Sequence, residues 1–207
     1  MTVDGRIASQ TGYSKLSCPW DLKRLHELRA ASDCVMVGAG TVIADDPSLK
    51  LKYASGIDPL RVIIDGKLKS PASARVFTQE PWKTVLITSR RGLKAEELGK
   101  RGVRVLELSG NKIKMKEAMR GLYDLGCKKI MVEGGGRLNW SLMEAGVVNE
   151  LRVTVSPFIF GAGRSLIDGT GFPDRGSGPK LELRSAEVCE CGKEVHIIYE
   201  VKPSPTV

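Results

Sequence analysis

Short β-branched runs alternate with amphipathic stretches through the first two-thirds of the chain. Cys34–Val37, Arg61–Asp65, Thr84–Thr88, Val103–Leu106 and Lys129–Val132 are too short for helices and read as strands. Val62, Ile63 and Ile64 in succession mark a strand buried on both faces. Between these runs, Asp21–Ala31 sets Leu22, Leu25 and Leu28 on one side, away from Lys23, Arg24 and Glu27. Lys114–Leu125 places Met115, Ala118, Met119 and Leu122 at i, i+3, i+4 and i+7, with Gly126 as terminator. Arg137–Ala145, ended by Gly146, is a shorter helix, and Lys94–Lys100 a more polar one. Near Glu150 the period switches. Leu151–Ser156, Leu181–Val188 and Glu194–Val201 read as strands. Leu151, Val153 and Val155, and later Val195, Ile197, Tyr199 and Val201, alternate with polar neighbours. The pattern predicts an α/β fold whose mostly parallel sheet is finished by an antiparallel C-terminal hairpin. Between Gly161 and Pro179 lies a long glycine- and proline-rich loop, functional or mobile at that length.

The 207 residues suit one globular domain, 1–207, able to bury a core without staples. No run approaches a membrane span, and MTVDGRIASQ has no signal-peptide anatomy, so a cytoplasmic protein is the expectation. The net charge of +8 raises nucleic acid as a partner. Lys and Arg are scattered among acids, however, and no aromatic-rich basic strand offers to stack bases. Steering of anionic small ligands accounts better for the charge, and neither nucleic acid nor membrane is expected as a partner. Of five cysteines, Cys34 and Cys127 sit in or beside apolar runs and read as core residues. Cys189 and Cys191 are separated by one residue, not the two of common zinc motifs, and the chain has only two histidines. No metal site is expected, and the odd count points to reduced thiols.

The chemistry-bearing segments are loops that follow strands. Val132-Glu133-Gly134-Gly135-Gly136 leads into a helix near Arg137. Bare backbone N–H groups at a helix N-terminus suit a phosphate, and glycine permits close approach. The alternative is a flexible turn without ligand. The spacing is not that of a GxGxxG dinucleotide fingerprint. Glu133 stands at the strand end, as a ligand carboxylate or a cap. Gly38-Ala39-Gly40-Thr41 follows another strand, and Thr41 offers a hydroxyl to a phosphate or ribose. Of Asp45 and Asp46, one suits capping a turn and the other accepting from a ribose hydroxyl. Asp4 in TVDGRIA suits an amino-substituted heterocycle or a plain turn. Arg29 suits a substrate phosphate, or a surface. His26 reads as structural or exposed. No histidine pairs with a nucleophile in a pattern for covalent hydrolysis.

Taken in order, MTVDGRIA, DLKRLHELRAASDCVMVGAGTVIADDPSL, PLRVIIDGKLKSPASARVF, KKIMVEGGGRLNWSLMEAGVVNELRV and SPFIFGAG resemble the reductases of riboflavin biosynthesis. The likeness spans roughly residues 1 to 165, and its layout is nearest the free-standing archaeal form. It implies a dihydrofolate-reductase-like fold with helices on both faces, a homodimer, and NADPH as cofactor, with NADH as the alternative. The implied reaction reduces a ribosylamino-pyrimidinone 5′-phosphate to its ribitylamino product, by hydride transfer to C1′ of the opened sugar imine. It places Thr41, Asp45, Gly66, Gly134, Gly135, Gly136, Arg137 and Leu138 at the cofactor. Asp4, Ser14, Arg29, Leu49, Lys52 and Glu133 fall on the substrate side, with Asp4 and Glu133 as catalytic candidates and Arg29 as phosphate clamp. Gly66 stands where relatives often have serine. Lys52 replaces an arginine of the bacterial form, keeping the charge and losing the fork. Leu16 replaces an aromatic. Relatives carry more strand residues upstream of Asp4, which implies a shortened first strand or a truncated start. A second reading is a reductase of another nitrogen heterocycle on the same fold. Arg90 and Arg91, just after Thr84–Thr88, are candidates for a cofactor 2′-phosphate.

Overall fold

The computed structural model describes residues 1–202. In chain order the elements are β1 (Arg6–Ala8), α1 (Pro19–Ala30), β2 (Cys34–Gly38), α2 (Ala39–Asp45), β3 (Leu60–Ile64), α3 (Arg75–Thr78), β4 (Thr84–Thr88), α4 (Leu93–Lys100), β5 (Arg104–Glu107), α5 (Met115–Asp124), β6 (Ile130–Val132), α6 (Gly136–Glu144), β7 (Glu150–Val155), β8 (Arg164–Ser165), β9 (Lys180–Val188) and β10 (Val195–Lys202). The chain divides into two compact units, one of residues 25–138 and one of residues 1–24 with 139–207; the divisions fall inside α1 and α6.

The central unit is built on a five-stranded, wholly parallel sheet of order β5-β4-β3-β2-β6. Its middle strands carry the apolar runs. Cys34, Val35, Met36 and Val37 are fully buried, as are Val62 and Ile63, and Thr84–Thr88 is buried throughout. That is the pattern of strands covered on both faces. Val35, Val37, Val42, Leu49, Ile63, Val76, Phe77, Leu86 and Leu98 form one continuous core. From β2 the chain builds β3, β4 and β5 outward in one direction, then returns to lay β6 on the other side of β2. Right-handed crossovers running in opposite directions put their helices on opposite faces. The direction of winding reverses between β2 and β6, and beyond the carboxyl ends of strands at such a reversal is where open α/β sheets bind ligands.

Two local readings are corrected here. The segment after β2 is not an open loop: Ala39–Asp45 forms the helix α2. Its β-branched Thr41, Val42 and Ile43 disguise it, but Val42 is buried and anchors the turn in the core. Cys34 and Cys127 are buried, but not as reduced thiols. They are joined in a disulfide across 93 residues, because β6, which follows Cys127, pairs with β2 from Cys34 onward.

In the other unit, β7, β10 and β9 form an antiparallel sheet of their own, with β10 in the middle. The alternating apolar residues after Glu150 therefore form a three-stranded sheet. β1 and β8 make a small antiparallel pair, and β8 interrupts the long glycine-rich segment. No helix among the described residues is long and apolar enough to cross a membrane.

Candidate active site

The two glycine-bearing turns meet at the winding reversal. Glu133 N–H donates to Met36 O at 2.9 Å, continuing the β2–β6 ladder to the last residue before the glycines. Gly134 and Gly135 then take φ of +102° and +84°, which disfavours any side chain at both. A Cβ on Gly135 would stand 3.3 Å from Thr41 Oγ1, and one on Gly38 3.6 Å from Leu138 Cβ. The close approach of the α2 turn to the start of α6 is thus made by bare backbone. Gly136 opens the nine-residue α6, whose first amides have no intrahelical acceptor. Thr41, Gly134, Gly135, Gly136 and Leu138 are therefore together, and this cradle fits a phosphate-bearing cofactor. Leu138 is buried and backs the cradle, while Arg137 is exposed.

The Asp-Asp ambiguity resolves. Asp46 takes the left-handed cap position of α2, and its Oδ1 accepts Arg75 N–H at 2.8 Å. Asp45 ends α2 with its side chain exposed. Gly66 follows β3, and Ser89 Oγ donates to its carbonyl at 3.0 Å. Ser89, which the sequence reading did not single out, thus sets a hydroxyl beside Gly66. Arg90 is exposed beyond β4, and Arg91 pairs with Glu107 at 3.1 Å.

Beside the glycine turn lies a nearly buried ion pair. Arg29, in the last turn of α1, grips Glu133 with both arms: Nε to Oε1, and Nη2 to Oε2 at 2.5 Å. The side chains are 12% and 10% exposed. Arg29 Nη1 also donates to Lys50 O at 3.0 Å. The residue read as a phosphate clamp thus has its fork engaged by the residue read as a substrate carboxylate. An incoming phosphate would exchange with Glu133 at the same donors.

His26, one turn earlier on α1, lies beside this pair and takes the structural of the two roles its sequence offered. It is buried, accepts Lys52 N–H at Nδ1 over 3.0 Å, faces Arg29 Nη1 at 3.4 Å, and meets Tyr53 edge-on. Burial first, then the Arg29 and Lys52 charges, lower its pKa below 6.5, so the ring is neutral near pH 7. Its i, i+3 spacing to Arg29 was the available signal. Leu49 follows α2 in the same unit. Its side chain is buried in the core and its φ is +55°, so it offers a ligand backbone rather than side chain. Lys52 is exposed.

Asp4 and Ser14 belong to the other unit. Asp4 accepts Phe160 N–H at 3.2 Å and Gly161 N–H at 2.8 Å. The Thr2 hydroxyl, then these amides, lower its carboxyl pKa below the usual range, which makes it an acceptor rather than a proton donor near neutral pH. Ser14 is exposed in the segment before α1, and Leu16 is buried rather than presented as a stacking surface.

Residues 1–197 match the model of the family described as the RibD C-terminal domain. The chain is 35% identical over 208 residues to the 2,5-diamino-6-ribosylamino-4(3H)-pyrimidinone 5′-phosphate reductase of Methanothermobacter thermautotrophicus, covering 98% of this chain and 95% of that one. A solved Thermotoga maritima structure, titled a diaminohydroxyphosphoribosylaminopyrimidine deaminase/5-amino-6-(5-phosphoribosylamino)uracil reductase, superimposes with a TM-score of 0.82 at 27% identity. It is matched over 97% of this chain and 54% of its own length. Dihydrofolate reductase from Enterococcus faecalis shares the fold at a TM-score of 0.53 and 12% identity, over 97% of this chain and 92% of its own.

Proposed function

Because the chain belongs to the RibD C-terminal domain family, we propose that it is an NADPH-dependent oxidoreductase of riboflavin biosynthesis, acting as one reductase domain over residues 1–207. Its substrate on this reading is 2,5-diamino-6-ribosylamino-4(3H)-pyrimidinone 5′-phosphate, and its product the ribitylamino compound. The observation that carries the reading is the meeting of Thr41 with Gly135 at the winding reversal, next to the Arg29–Glu133 pair. When bound, NADPH supplies the hydride that adds to C1′ of the opened sugar; the protein's work is placement and charge.

Thr41 and the amides of Gly135 and Gly136 take cofactor phosphate, Asp45 a ribose hydroxyl, and Gly66 a backbone contact. Gly134, Arg137 and Leu138 complete that wall, and Arg90 meets the 2′-phosphate. On the substrate side Arg29 exchanges Glu133 for the 5′-phosphate, with Lys52 as a second cation. That exchange releases the Glu133 carboxylate to the pyrimidine or sugar. Leu49 contributes backbone, and Asp4 and Ser14 accept from the heterocycle. Two cations apart from the cradle favour a phosphorylated substrate over a folate. The same reading makes the protein a cytoplasmic homodimer without nucleic-acid or membrane partners. Its support for self-association is β9, the outer strand of its sheet, whose Leu181 and Leu183 are 44% and 59% exposed. Light scattering on the eluting protein tests this by a mass twice that of the chain.

The deciding assay is anaerobic. The ribosylamino-pyrimidinone phosphate is offered with each reduced nucleotide, and nicotinamide absorbance is followed. Oxidation of NADPH with formation of the ribitylamino product supports the reading. Turnover of dihydrofolate instead transfers the site to another heterocycle.

A further inference from the structure

Outside the reductase site, the unit of residues 1–24 and 139–207 gathers three thiols and a carboxylate that no step above uses. Cys18 lies just before α1. Cys189 and Cys191 bracket the start of the β9–β10 turn, and Glu194 ends it. The ligand atoms of all four residues lie within 4.8 Å of one another. Cys18 Sγ and Cys189 Sγ are 3.6 Å apart. Two thiolates on one tetrahedral zinc, each at about 2.3 Å, stand about 3.8 Å apart. The turn is shaped for convergence: Gly192 N–H donates to Cys189 O at 2.7 Å, Cys189 N–H to Glu194 O at 2.8 Å, and Gly192 takes a φ of +70°.

Glu194 supplies a second, independent observation. It is 2% exposed. Its Oε1 accepts Cys18 N–H at 2.9 Å and the Ser156 hydroxyl at 3.3 Å, while its Oε2 is buried without a hydrogen-bond partner. A buried carboxylate oxygen left unmatched is costly unless a cation meets it. A backbone amide also points at one of the sulfurs, as amides do around thiolates: Asp21 N–H at Cys18 Sγ over 3.4 Å.

We propose that Cys18, Cys189, Cys191 and Glu194 form a structural zinc site that ties the segment before α1 to the β9–β10 turn. Three soft sulfurs and one carboxylate suit Zn²⁺, and four protein ligands close the tetrahedron against water. Zinc binding displaces the thiol protons and, by closing a loop of 171 residues, stabilises the fold. No catalytic part follows from it. Nor does it depend on the reductase reading.

The test uses the full chain, reduced, stripped with chelator and then titrated with Zn²⁺ or Co²⁺ alone. Expected are one zinc per chain by elemental analysis after desalting, and intense visible bands with a thiolate-to-cobalt charge-transfer band in the cobalt form. The melting temperature should rise about 5–10 °C with zinc about a hundredfold above its dissociation constant. Cys189→Ser/Cys191→Ser should lose the metal and the bands, while Cys34→Ala/Cys127→Ala keeps both. If the double serine variant does not fold, the wild-type cobalt spectrum decides alone. Octahedral cobalt bands, no zinc above background, or a Cys18–Cys189 disulfide formed in place of metal uptake would overturn the site.

Discussion

The glycine cradle and the thiol cluster are built in opposite ways. The cradle is made by backbone. Two strands adjacent in a parallel sheet end side by side, and glycines let their turns approach, so each half is written in one short stretch of sequence. The thiol cluster is made by side chains whose proximity depends on folding Cys18 against a turn 171 residues away. A site formed at strand ends can be found by reading strands. In the thiol cluster, Cys189, Cys191 and Glu194 are written in one short stretch, but at a spacing unlike the common zinc motifs, and Cys18 joins them only through folding.

The largest expected effect separates charge from backbone within the cradle's own unit. Arg29→Ala or Glu133→Ala strands one charge of a nearly buried pair, and each should cost about 3 kcal/mol in denaturant unfolding. Each should also lower kcat/KM about a hundredfold, equivalent to about 2.7 kcal/mol. Arg29→Met/Glu133→Leu removes both charges and should regain most of the stability and none of the activity. Single variants as stable as the parent would mean that the pair does not hold the α1 end to β6.

Next comes backbone. Gly135 and Gly146 both have positive φ, +84° and +65°. Alanine at either should cost about 1–2 kcal/mol of strain. A Cβ meets Thr41 at the first position and nothing within 4 Å at the second. Gly135→Ala should therefore raise the nucleotide KM about tenfold, against no change for Gly146→Ala, by steady-state kinetics. Equal KM values would remove the nucleotide from the cradle.

These contrasts explain what was legible. The middle strands β2, β3 and β4 of the central unit were readable because burial on both faces makes unbroken apolar runs; Thr84–Thr88 is read to its last residue. Helix α2 was not, since three β-branched residues in seven hide a helical turn that tertiary burial of Val42 supports. Thr41 and the Gly134–Gly136 run were visible as loop chemistry. The grip of Arg29 on Glu133 was not, because it joins residues 104 apart. The Cys34–Cys127 disulfide was missed for the same reason: a cysteine count carries no partner information.

A smaller effect concerns cofactor choice at the far side of the same sheet edge. Arg91 already pairs with Glu107, so Arg90 is the better candidate for a 2′-phosphate. Arg90→Ala should raise the NADPH KM about fivefold, near 1 kcal/mol, and leave that for NADH unchanged. Adding Arg91→Ala should change little. Equal losses with both nucleotides would reject the assignment.

The smallest effect is a pH slope, and it returns to the Arg29–Glu133 pair through His26. Because the folded imidazole has a pKa below 6.5, the unfolded chain binds the proton more readily. Stability therefore rises with pH across the interval between the two values. The contribution is complete above about pH 6.5 and is lost as pH falls through the folded value. His26→Asn keeps an acceptor for Lys52 N–H and removes the titration. Between about pH 7.5 and 5.5 the parent should lose more of its denaturant midpoint than the variant does. Asp4 does not confuse the comparison. Its carboxyl is held below 3.8, so its contribution persists until far more acid conditions. Parallel slopes for parent and variant would show that burying His26 beside Arg29 carries no proton linkage, leaving the ring a hydrogen-bonding spacer between α1 and Lys52.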